Sequence, residues 1–140
     1  MDDVEQTVMV EWGFPSDEVA VGSLGELEAV LDRVALDSDP TLPFVVTIVR
    51  GKATMSISQG PGWSIVSFAY LNGDEPFHIS LGDRHVSGVV HVLFGGEDTE
   101  QDKWSCIDPV LAREVIRHFY RTGGLSPAIW WAPSALWNII

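Results

Sequence analysis

Between residues 44 and 94 the chain is a succession of short β-branched and aromatic runs cut by turn signals, and this pattern constrains the fold most. The runs are 44–49, 53–58, 63–70, 77–81 and 86–94. Arg50-Gly51-Lys52, Gly60-Pro61-Gly62 and Asn72-Gly73 interrupt them. Breaks this short leave no room for a crossover helix, so successive runs are expected to pair antiparallel as a meander. Asn-Gly is among the strongest tight-turn signals because both residues tolerate positive φ. After the last run, Gly95-Gly96 is expected to open a polar loop, Glu97-Asp98-Thr99-Glu100-Gln101-Asp102.

Helical signals flank this β-rich middle. Ser23 and Glu26 form a capping box, in which the serine accepts from a first-turn amide and the glutamate reaches back. Behind it Leu24, Leu27, Val30, Leu31 and Val34 recur at helical spacing, and Asp37-Ser38-Asp39-Pro40 should end the helix. Asp108-Pro109 begins a second helix, with aspartate as N-cap and proline at the first helical position. Its apolar stripe is Leu111, Ala112, Val115, Ile116 and Phe119, and Thr122-Gly123-Gly124 stops it. Residues 7–12 read as a first strand and 128–131 as a last one. The expected architecture is α+β: a mostly antiparallel sheet of about six to seven strands, with two main helices packed on one side, in a single domain spanning residues 1–140.

Composition narrows the functional classes. The 140 residues are 46% apolar and 20% charged, the balance of a chain that builds a core. The lone cysteine, Cys106, excludes an internal disulfide framework and fits a reducing compartment. Acids follow Met1 where a secretion signal needs basic residues, and no apolar run reaches membrane-spanning length, so a cytoplasmic location is expected. Eight basic and twenty acidic residues give a net charge of −12. That disfavours direct contact with nucleic acid or an anionic membrane, both of them polyanions. On composition alone plain solubility accounts for it first, and a basic protein partner is the other reading.

Few constellations suggest catalysis. His85 and His91 would share a face of one uninterrupted strand, and with Asp83 they could form a metal site for a small hydrolase. The spacing matches no zinc motif, and ordinary histidines explain it as well. Cys106, Asp108 and His118 could be drawn as a nucleophilic triad, but no nucleophile signature surrounds Cys106 and Asp108 already serves as a cap. No cofactor loop is visible. Arg113, Arg117 and Arg121 line one edge of the second helix, either as a solvated face or as a basic stripe answering acids in this chain or a partner. The segment Glu97, Asp98, Glu100 and Asp102, ending on Lys103-Trp104, is either a solvated loop or an acidic finger with an aromatic anchor. Asp74 and Glu75, after the Asn72-Gly73 turn, make a second acidic tip.

The C-terminal third is recognisable. Ile107-Asp108-Pro109, Ala112-Arg113-Glu114, Phe119-Tyr120, Thr122-Gly123, Pro127 and Ile129-Trp130-Trp131 resemble the Immunity protein 1 (Imm1) family. The family pattern runs from a helix start through an alanine and an aromatic to a Thr-Gly stop, a proline and a strand ending in tryptophan. Pro109, Ala112, Phe119, Thr122, Gly123, Pro127, Trp130 and Trp131 carry the match. Asp108 intervenes where the family joins isoleucine to proline, and Gly124-Leu125-Ser126 replaces a stretch that is more often basic. The resemblance implies an α+β protein that binds a cognate toxin of a polymorphic toxin system in the producing cell. Many toxins of that kind have a nucleic-acid deaminase fold. It implies stoichiometric occlusion by a monomer in a 1:1 complex, with no cofactor, no metal and no chemistry by this chain. A generic adaptor for some other cytosolic protein is the remaining alternative. On this basis Glu97, Asp98, Glu100, Asp102 and Trp104 are the first candidates for toxin contact, and Asp74 and Glu75 the second.

Overall fold

A computed structural model of the chain describes residues 7–13, 16–71 and 77–133. Seven antiparallel strands form the main sheet, in the order β2-β1-β3-β4-β5-β6-β9. They are β1 (Val8–Trp12), β2 (Asp17–Val21), β3 (Val45–Arg50), β4 (Ala53–Gly60), β5 (Trp63–Tyr70), β6 (His78–Leu81) and β9 (Trp130–Pro133). Helices α1 (Leu24–Asp37) and α2 (Pro109–Thr122) pack on one face. A separate two-stranded ribbon, β7 (Val89–Phe94) with β8 (Glu97–Asp102), lies over part of the other.

Alternation along the strands sorts the two faces. Val46 and Ile48 of β3, Met55 and Ile57 of β4, and Val66 and Phe68 of β5 point toward the helices and are buried. Leu27, Leu31 and Val34 of α1 and Ala112, Val115, Ile116 and Phe119 of α2 meet them. Phe119 is fully buried and packs edge-on against Phe68, with centroids 6.1 Å apart. The opposite face holds a smaller cluster of Ile65, Ile79 and Ala132, flanked by Trp63, Leu81, Val90, Trp104 and Cys106.

The helix ends follow their sequence signals. Ser23 Oγ accepts from the Glu26 amide at 3.1 Å, and Glu26 Oε1 accepts from the amide of Gly22, one residue outside the cap. Asp108 Oδ1 accepts from Val110 N at 2.7 Å, and Gly123 closes α2 with φ of 78°. Arg50 Nε donates to the Tyr120 carbonyl at 3.0 Å, so a cation sits at the negative end of the α2 dipole.

Arg113 and Arg117 prove to join the two helices. Arg113 pairs with Asp32 of α1 at 2.8 Å and also donates to Gln59 of β4. Arg117 pairs with Glu28 of α1 at 2.5 Å and faces Glu114 at 3.6 Å. The acids that these two arginines answer are therefore on the helices, Asp32 and Glu28 on α1 and Glu114 on α2, not in the segment 97–102.

Two expectations need correction, and one strand was not foreseen: the run 17–21 is an edge strand that its acidic composition conceals. The meander does not continue through 86–94: β6 pairs instead with β9, and β7 leaves the main sheet. The segment 97–102 is not a loop but β8, joined to β7 through Gly95-Gly96. Those glycines have φ of 59° and 85°, so both central residues of the turn are left-handed, the geometry that matches strand twist in a two-residue hairpin. The expected Asn72-Gly73 turn lies outside the described residues.

The chain crosses from one face to the other just after β8. Lys103–Ser105 form a 3-10 turn, and Ile107 then bonds both ways with Ser64, at 2.8 and 2.9 Å. Cys106 packs on the ribbon side and Ile107 on the helix side. Gly82 permits this crossing: its amide donates to the Trp104 carbonyl at 2.7 Å, and a Cβ there would overlap the Cys106 carbonyl oxygen. Ser80, fully buried, donates to the Ser105 carbonyl at 2.6 Å and accepts from Val66 N. The ribbon is thus tied back to the sheet at its C-terminal end.

Candidate functional site

The ribbon gives the acidic segment a register. Asp98 lies opposite Leu93, Glu100 opposite His91 and Asp102 opposite Val89. Strand alternation places Asp98, Glu100 and Asp102 on one side of the ribbon together with His91. That side faces away from the sheet, because the alternate residues Val90 and Val92 point inward and Val92 is buried. Glu97 closes the turn opposite Phe94 and has the other orientation. Three of the four acids named from the sequence therefore form a stripe at two-residue spacing.

His91 belongs to this stripe. Its Nδ1 lies 2.6 Å from Asp98 Oδ1. The hydrogen bond and charge of Asp98, with a smaller contribution from Glu100, hold the imidazole pKa above its ordinary value. Asp83 instead accepts from the His85 amide at 2.9 Å in a local turn, outside any strand. His85 and His91 consequently do not share an uninterrupted strand. Among the described residues no group of three histidines, cysteines or acids is placed to hold a metal ion. The triad drawn from Cys106, Asp108 and His118 is likewise not assembled. Burial raises the Cys106 thiol pKa, which keeps it protonated, and it packs on the face opposite α2, which carries His118.

Aromatic surface accompanies the charge. Trp104 is half-buried against Ile65 and Ile79, so it anchors the ribbon's base to this chain. Trp130 is different: it is 78% exposed and lies opposite Leu81, on the ribbon side of the sheet. Its neighbour Trp131 turns to the helix side and donates from Nε1 to the Ser126 carbonyl at 2.9 Å. Phe94, at the ribbon tip, is 58% exposed. The sequence marked Trp130 only as a motif residue and did not single out Phe94. Alternation across Trp130-Trp131 already required the two to face opposite ways, but it could not say which was outside.

Beneath the ribbon lies a cavity of about 210 Å³, lined by Ser56, Ser58, Ile65, Ile79, Val92 and Gln101 among others. The ribbon therefore does not seal against the sheet as the helices do. Asp74 and Glu75 lie outside the described residues. Of the motif residues, Pro109, Ala112, Phe119, Thr122 and Gly123 start, bury or stop α2, while Pro127 and Trp130 are exposed.

Helices close one face, and a charged ribbon with exposed aromatics stands on the other; this is the equipment of a protein that binds another. The description of immunity protein Imm1 matches residues 16–133, and the chain belongs to that family. A comparison with curated proteins gives no match. Among the described residues no helix is long and apolar enough to cross a membrane.

Proposed function

We propose that this chain is a single-domain, cytoplasmic immunity protein that binds a cognate secreted toxin 1:1 and neutralises it by occluding its active site or substrate path. Family membership supports the toxin-binding role. The observation that carries the binding surface is the outward stripe of Asp98, Glu100 and Asp102 on the ribbon. A toxin that acts on nucleic acid must hold a polyanion, so the rim of its active site is basic. An acidic protein matches that rim and gains association rate from it. A nucleic-acid deaminase is the toxin class we favour, since its target base must be held in a pocket beside a bound phosphate backbone. Trp130 supplies an exposed aromatic on the same side of the sheet, and Asp74 and Glu75 remain secondary candidates.

The test is direct. The purified chain is titrated into the toxin domain encoded beside it, and toxin activity is followed. We expect inhibition complete at one equivalent, weakening as salt rises. Full toxin activity in excess chain would overturn the function. Inhibition without deamination activity to inhibit would overturn only the toxin class.

A further inference from the structure

Among the described residues β8 pairs with β7 alone, which leaves its other edge open. The two-residue turn determines which backbone groups face that edge. In such a hairpin the closing pair, Phe94 and Glu97, exchanges hydrogen bonds, and bonded pairs alternate from there. Thr99 and Gln101 therefore bond toward β7, while Asp98 and Glu100 direct both N–H and C=O away from it. Two bonds confirm this phase. Lys103 N donates to the Gly88 carbonyl at 2.9 Å, continuing the bonded series. Leu93, opposite Asp98, donates outward from β7 to the Pro43 carbonyl at 2.8 Å.

We infer that this edge of β8 receives an extended, cationic segment of the toxin as an added antiparallel or parallel strand. The inference rests on the toxin-binding reading and specifies its mode. Backbone pairing with Asp98 and Glu100 supplies the hydrogen bonds, and the same residues raise their carboxylates on the outward side. A strand added here sets alternate side chains beside those carboxylates, so basic residues at every second position are selected. The charge of β8 disfavours a second copy of this chain. Pairing β8 with itself would place carboxylates against carboxylates, which is how natural edge strands resist self-association. The other open edges are less suitable. β9 is four residues long and ends on Pro133, which lacks an N–H. The outermost strand β2 presents Asp17 and Glu18, but Val8↔Val21 to Trp12↔Asp17 pairing puts these two on opposite faces, so no carboxylate stripe forms.

Amide hydrogen exchange by NMR tests this on the chain alone and saturated with the catalytically inactivated neighbouring toxin domain. We expect the Asp98 and Glu100 amides to exchange at least tenfold more slowly in the complex. If a complex forms and these two amides exchange unchanged, edge pairing is overturned while neutralisation stands. If no complex forms, both readings fall. A second comparison separates backbone from charge. Glu100→Gln keeps the N–H, whereas Glu100→Pro removes an N–H that the β7 ladder does not use. The proline variant should bind the toxin at least tenfold more weakly than the glutamine variant; equal affinities in folded variants would contradict edge pairing.

Discussion

The two faces of the sheet are built to different standards. On the helix side, residues from eight elements interlock, Phe119 is fully enclosed, and Arg113 and Arg117 tie α1 to α2. On the ribbon side a small cluster sits beside a cavity, and the outward surface is carboxylate, imidazole and exposed ring. The helix face accounts for stability. The ribbon face carries features that folding does not require, since an acidic stripe above a void contributes little to a core. Mutations should therefore divide by face: those on one side should change stability and leave affinity of the folded protein alone, and those on the other should do the reverse.

The largest expected effect is on the helix side. Phe119→Ala should cost about 3–5 kcal/mol, the range for emptying an aromatic site in a core. Denaturant unfolding measures this, and a loss below about 1 kcal/mol would show that the helix face is not the stabilising one. Next is the stripe. Asp98→Asn, Glu100→Gln and Asp102→Asn combined should weaken toxin binding roughly ten- to hundredfold, mainly through slower association, with little change in melting temperature. Surface plasmon resonance at two salt concentrations would read both the loss and its reduced salt dependence. Trp130→Ala should lower affinity by about tenfold while stability changes by less than about 0.5 kcal/mol. A large stability loss would instead place Trp130 in the folding account.

Smaller effects sharpen the division. Arg117→Ala should cost about 0–1 kcal/mol, because its pairs are partly exposed, and should leave toxin affinity unchanged. The ion pairs then orient the helices more than they hold them. The smallest effect concerns pH. The pKa of His91 is raised in the folded chain, so its pairing with Asp98 stabilises the fold below the imidazole's unfolded pKa. That contribution is lost as pH rises through the folded value. Binding should move oppositely, because a protonated His91 cancels part of the stripe's charge. Affinity for a basic toxin should thus fall as pH drops through the His91 pKa, and Asp98→Asn should return that pKa toward the ordinary imidazole value in an NMR titration.

Much of the helix face was legible in the sequence, because folding there uses local signals. The Ser23 and Asp108 caps, the Gly123 stop and both apolar stripes are short-range codes, and each element ends within a residue or two of where those codes place it. The sheet was legible where alternating apolar residues met turn signals, as in β4 and β5. The ribbon was not. Glu97 to Asp102 has the composition of a loop, and it is a strand because a diglycine turn lays it against β7. Intrinsic propensity cannot register a strand held by its partner. β2 was hidden for the same reason. The fate of Trp104 depended on the crossing at Gly82, which joins positions more than twenty residues apart. The acids are visible as a group in the sequence, but only the register separates Glu97 from the stripe of Asp98, Glu100 and Asp102.

A single footprint tests the division of labour between the faces. Hydrogen–deuterium exchange of the chain, free and in complex with the inactivated toxin domain, would locate protection peptide by peptide. The account predicts protection over residues 89–102 and around Trp130, with the exposed sides of α1 and α2 unchanged. Protection confined to α1 and α2, with the ribbon exchanging as in the free chain, would contradict it.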